Sequence, residues 1–154
     1  MTLGDGAASM LVLDVERIVG PQASRTHVRL PFVPEREAEV LEVRFSYEPK
    51  VLADEERERA LIEEGLRLYA ESLESGRPRE PVLNLLTLSL DGPSGFRGCA
   101  HRHNPDQSIT VGRDSATPGF IAGVLEAGCW TATVSVHCVV SERCTFRVQV
   151  SVQR

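Results

Sequence analysis

"WTATVSVHCVVSERCTFRVQVSV", residues 130–152, alternates apolar and polar side chains almost without a break. Trp130, Ala132, Val134, Val136 and Cys138 fall on one side, Thr131, Thr133, Ser135 and His137 on the other. After Ser141-Glu142-Arg143 the rhythm resumes, with Cys144, Phe146, Val148, Val150 and Val152 set against Thr145, Arg147, Gln149 and Ser151. Successive side chains of a strand point to opposite faces, so each run reads as a strand with one buried face. A three-residue loop at 141–143 predicts a hairpin in which Val136 meets Val148 and Val134 meets Val150. In that register Cys138 and Cys144 stand diagonal, about 7–8 Å apart at Cα and beyond disulfide reach, while His137 faces outward opposite Arg147.

The same two-residue period recurs upstream. Val28, Leu30 and Phe32 share a face in "HVRLPF", as do Leu41, Val43, Phe45 and Tyr47 in "LEVRFSY". "NLLTLSL" contributes Leu86, Leu88 and Leu90, "SITV" contributes Ile109 and Val111, and "MLVLDVERIV" an earlier, less regular strand. One segment departs from the pattern. Over about 53–75, Ile62, Leu66, Tyr69 and Leu73 recur at helical spacing, with Asp54, Glu55 and Glu56 at the start and Gly76 and Pro78 beyond the end. Seven or eight strands with one inserted helix, and no alternation of strand with helix, predict a mainly β protein: a jelly-roll-like antiparallel β-sandwich. The outward sets of the strands are polar, so the helix is expected at an open end or edge of the sandwich, or in a dimer contact. No linker or repeat divides the 154 residues, which are read as one domain over 1–154.

The net charge of −5 argues against a general nucleic-acid binder. No basic leader and no apolar run long enough to span a bilayer appear, so a cytoplasmic chain with Cys99, Cys129, Cys138 and Cys144 as free thiols is expected.

Several short motifs recur in an order that resembles a known family. These are Asp91-Gly92-Pro93, Gly95-Phe96-Arg97-Gly98, Ala116-Thr117-Pro118-Gly119-Phe120, Gly123, and Gly128 through Trp130. Over roughly residues 25–152 the chain resembles the β-sandwich domain that precedes the catalytic domain in PHP-type metal-dependent phosphoesterases of the carbaryl-hydrolase-like branch. "HVRLPFVP" and "LEVRFSYEPK" fit its first half more loosely. The sequence ends at "TFRVQVSVQR" without the metal-binding PHP domain, so the resemblance implies an accessory fold and carries over no hydrolytic residue.

The chemistry-bearing residues concentrate in "GFRGCAHRHNPD", residues 95–106. Cys99, His101 and His103, with Cys129 as a fourth, offer thiolate and imidazole to zinc or another divalent metal. His101-Arg102-His103 also has the H-x-H spacing of PHP metal sites, yet Asn104-Pro105-Asp106 follows and no C-x₂-C pair supports it. Arg97, His101, Arg102, His103 and Arg113 form the alternative, a ligand site for an anion or a carbohydrate on the 91–106 and 113–129 loops. The plainer reading is a polar loop whose Arg97 holds Asp91. No Ser-His-Asp or Cys-His arrangement and no phosphate loop is evident. The expectation is therefore a non-catalytic interaction module without a cofactor, associated with a PHP-type metallohydrolase or with a second copy of itself. A ligand-binding module, and a metal-dependent enzyme at His101 and His103, stand as alternatives.

Overall fold

Eight strands and one helix follow each other along the chain in a computed structural model that describes residues 8–69 and 81–154. The strands are β1 (Met10–Val19), β2 (Thr26–Phe32), β3 (Val40–Glu48), β4 (Leu85–Gly92), β5 (Gly95–Ala100), β6 (Asp106–Gly112), β7 (Trp130–Cys138) and β8 (Cys144–Gln153). The helix, α1 (Glu55–Tyr69), lies between β3 and β4. Two four-stranded sheets result, in the orders β1-β8-β3-β6 and β2-β7-β4-β5, with every pairing antiparallel.

The pairs β1–β8, β2–β7, β3–β6 and β4–β5 are those of one long hairpin whose tip is the β4–β5 turn. Rolling that hairpin up places alternate pairs in opposite sheets, which is the jelly-roll arrangement. The inward sets then meet face to face. Leu41, Val43, Phe45, Ile109, Val111, Phe146, Val148 and Val150 come from one sheet, Leu86, Leu88, Leu90, Trp130, Ala132, Val134 and Val136 from the other, and all are buried.

One expectation fails here. β7 and β8 do not form a hairpin: they lie in different sheets, and the connection at 139–143 crosses from one to the other. Both strands present their apolar faces to the same core, so alternation read the faces correctly and the partner wrongly. Val148 and Val150 instead pair with Phe45 and Val43 on β3, and with Val15 and Leu13 on β1. Arg147 is accordingly remote from His137 and forms a bidentate pair with Asp14 at 2.9 and 2.7 Å. All four cysteines are free, and burial in the core pushes the Cys144 thiol up to about 11. A second correction concerns residues 95–100, read as loop but folded as β5.

The crossing at 139–143 is held by Asn84, which is fully buried. Its Oδ1 accepts from the backbone N–H groups of Val140 (2.7 Å) and Ser141 (3.3 Å), and its Nδ2 donates to Pro49 O (2.8 Å) and Ser141 Oγ (2.7 Å). One amide thus ties the exit of β3, the approach to β4 and the β7–β8 crossing. Lys50, the only lysine, adds to this corner by donating to Tyr47 Oη at 2.8 Å and Asn84 O at 2.9 Å.

Asp54 caps α1, its Oδ1 accepting from the Arg57 N–H at 3.0 Å, and acidic Glu55, Glu56 and Glu58 follow in the first turn. Arg57 Nε donates to Val140 O, which anchors the helix start beside the Asn84 corner. The expected apolar stripe is not covered over its length. Ile62 is half-buried, but Leu66 is 45% exposed. Leu73, Gly76 and Pro78 lie outside the described residues.

Asn84→Ala leaves two buried N–H groups and a carbonyl without partners, and the expected loss is about 2–4 kcal/mol in chemical denaturation. Leu66→Asp on the solvent side of α1 should change stability by no more than about 0.5 kcal/mol.

Candidate functional site

The residues singled out in the sequence divide between two places. The first is the tip of the rolled hairpin. Arg97, on β5, lays its guanidinium 5.1 Å from the centre of the Trp130 ring. Its Nε and Nη2 donate to Ile121 O at 3.2 and 3.0 Å, Nη1 to Val124 O at 2.8 Å, and Nη2 also to Gly123 O at 3.3 Å. Burial pulls its pKa below the ordinary arginine value, with Glu126 opposing. The indole N–H of Trp130 donates to Glu126 O at 2.8 Å, and the Glu126 carboxylate accepts from Ser94 Oγ in the β4–β5 turn. The 113–129 segment is thereby laced to the hairpin tip.

Two glycines of this region allow backbones to approach closely. A Cβ on Gly98, whose φ is +126°, would stand 2.4 Å from Gly119 O and 2.5 Å from Phe120 Cα. One on Gly119, φ +97°, would stand 2.6 Å from Cys99 O. Thr117-Pro118-Gly119-Phe120 closes as a type II turn, the Phe120 N–H donating to Thr117 O at 3.0 Å. These contacts give Arg97 and Gly98 of the first motif, and Thr117 to Phe120 of the second, structural roles, while Phe96 stays exposed.

The anion set does not assemble. Arg97 is committed to carbonyls rather than to Asp91, Arg102 Nη2 donates to Pro118 O at 2.6 Å, and Arg113 faces Glu37 and Glu39, each at 3.7 Å. The thiolate–imidazole set does not assemble either. Cys99 is level with Ser89 and Thr133 across the sheet, whereas Cys129 lies four residues before Thr133, just ahead of β7, and exposed His103 follows in the loop after β5. Among the described residues, no three His, Cys, Asp or Glu side chains close on one point as a metal cage.

What the structure does bring together is three of the four histidines. On the outer face of β2-β7-β4-β5, His27 is level with Ser135, and Ser135 with Thr87. His101, one residue past the Ala100–Leu88 pair, continues that row. His137 stands two residues along from Ser135 on the same face. Its Nε2 is 2.8 Å from Thr87 Oγ1, its ring centre is 6.4 Å from that of His101, and His27 Nδ1 is 2.9 Å from Ser135 Oγ. Burial, then the neighbouring His101 and His27, hold the His137 pKa below the ordinary histidine value. Sequence reading found His101 but not its companions, although His27 and His137 both stood in outward-facing sets of strands assigned correctly.

A different surface feature is an open depression of about 650 Å³ on the other sheet, lined by Glu16, Glu48, Lys50, Asp106 and Arg147 among others. Its cations are already engaged, Lys50 by Tyr47 and Arg147 by Asp14, and no one ligand charge is favoured.

No protein-family model matches the chain, and no curated protein matches it.

Arg97→Lys keeps the charge but loses the planar fork that reaches Ile121, Gly123 and Val124 together. It should lower the midpoint of thermal unfolding and raise hydrogen exchange at residues 121–124, leaving exchange in β3 and β8 unchanged. The His137 effect has a definite sign. Its folded pKa lies below the unfolded value of about 6.5, so the unfolded chain binds more protons in that interval and stability falls as pH drops through it. His137→Gln should flatten this part of a plot of unfolding midpoint against pH.

Proposed function

We propose that the chain is a non-catalytic jelly-roll module that docks onto a PHP-type metal-dependent phosphoesterase, encoded separately or joined to it. The support is twofold. The first part is the ordered set of motifs from Asp91-Gly92-Pro93 to Trp130 that resembles the sandwich domain of those enzymes.

The second is the surface those motifs build, and it carries the proposal. Phe96, Ile121 and Val124 are 56%, 54% and 42% exposed, on the segments that Arg97 ties together. Large apolar side chains left in water on a rigid closure suit protein docking, because little ordering remains to oppose association. Two of the groups that suggested anion binding at this end, Arg97 and Arg102, are occupied by backbone carbonyls.

The experiment is co-purification of the untagged chain with a PHP-type enzyme encoded beside its gene, followed by titration of the two. A saturable complex is expected, weakened tenfold or more by Phe96→Ser or Ile121→Ser, about 1.4 kcal/mol per tenfold. Absence of a complex with the wild-type chain, or equal affinity for both variants, would overturn the reading.

A further inference from the structure

We propose that His101 and His137 form a surface site for a divalent transition-metal ion, with water completing the coordination sphere. The site is separate from the docking surface, on the outer face of β2-β7-β4-β5, and does not depend on it.

The geometry fits two ligands of one ion. Imidazole nitrogen binds such ions at about 2.0–2.1 Å, which places the centres of two rings sharing an ion about 5 Å apart at a tetrahedral angle and about 6.5 Å apart when they bind from opposite sides. The observed separation is 6.4 Å, with the rings tilted 55° to one another, which is the spacing of two imidazoles on opposite sides of an ion. The pair straddles β4, and the residue of β4 beneath it is Thr87, only 5% exposed. Thr87 Oγ1 holds His137 Nε2 at 2.8 Å and leaves Nδ1 as the ligand atom. Fixing one ring nitrogen so that the other can bind is how outer partners orient metal-bound histidines. Thr87 is therefore a positioning residue. His27, anchored by Ser135 at 2.9 Å, stands beside the pair as a further imidazole that a rotamer change would present.

The donor set is imidazole, without carboxylate, which selects copper, nickel or zinc over magnesium or calcium, with copper the tightest. Arg29, two residues from His27 on the same face, disfavours a bound cation, and only two protein ligands are in place. The affinity is accordingly that of an open chelate rather than of a closed structural zinc site.

The test uses the full chain without a histidine tag, titrated calorimetrically with Cu²⁺, Ni²⁺, Zn²⁺ and Mg²⁺, and with ring proton shifts of the four histidines followed by NMR. One saturable transition-metal site per chain is expected, strongest for Cu²⁺, absent for Mg²⁺, and shifting the rings of His101 and His137 most. His101→Ala and His137→Ala should each weaken it tenfold or more, and His103→Ala by less than twofold. Thr87→Val should weaken it while both rings still respond; circular dichroism establishes that this variant is folded. The proposal fails if the wild-type chain shows no saturable site, if Mg²⁺ binds as well as Zn²⁺, or if His103→Ala abolishes binding that His137→Ala leaves intact.

Discussion

Arg97 over Trp130 is the contact on which the hairpin end of this fold depends. A jelly roll ends in a turn between its two innermost strands, and here that turn must cover the end of the core that Trp130 occupies. The indole is 1% exposed, stacked on Phe32 with ring centres 6.3 Å apart. It is covered above by a guanidinium whose N–H groups are used on three carbonyls of the 121–124 segment. A long connection between strands carries many backbone polar groups that must find partners. The planar, multiply donating side chain of arginine satisfies several of them at one point. Gly98 and Gly119 permit the backbones to touch, and their positive φ values follow from that approach. The motifs from Asp91-Gly92-Pro93 to Trp130 thus describe one closure.

The strands were legible because period-two alternation is a direct record of which side faces the core. The inward sets assigned to β3, β4, β7 and β8 are buried almost residue for residue. Partners are another matter. An apolar row is satisfied equally by a neighbour in its own sheet or by the opposing sheet across the core. The five-residue connection at 139–143 suits a hairpin or a crossing, and the crossing is held by Asn84, a buried amide fifty-seven residues from Ser141. β5 escaped notice for a different reason: Gly95 and Gly98, both at positive φ, interrupt the alternation by which a strand is recognised. The helix start was legible from its acidic residues, though Asp54 proves to cap the helix rather than join its first turn; the burial of its stripe was not, because periodicity shows that a face exists and not what covers it.

For the histidines, composition pointed to the right loop and the wrong companions. His101 and His103 are close in sequence, but alternate residues leaving the end of β5 enter a loop, and only His101 continues the row of the sheet. His137 is reached through two registers, β5 on β4 and β4 on β7, neither of which local sequence specifies. A recoverable signal lay in the outward sets: His27 and His137 occupy polar faces of adjacent strands, and pairing β2 with β7 brings them to one patch.

The two outer faces of the sandwich differ in a way that bears on what each can bind. On β1-β8-β3-β6, carboxylates already have partners: Asp14 pairs with Arg147 and accepts from Gln149, and Glu42 accepts from Gln153. The Asp14 carboxyl is held below the usual range by its hydrogen bond from Arg147, so this pairing persists into mild acid. A ligand there must displace existing partners in water, where exposed pairs offer little discrimination. On β2-β7-β4-β5 the row is His27, Ser135, Thr87 and His101, with His137 beside it, and the hydroxyls orient the rings without consuming both nitrogens. Such a face has lone pairs to offer. An incoming electrophilic ion meets oriented donors without breaking an ion pair, which makes this the sheet where specific recognition requires least rearrangement.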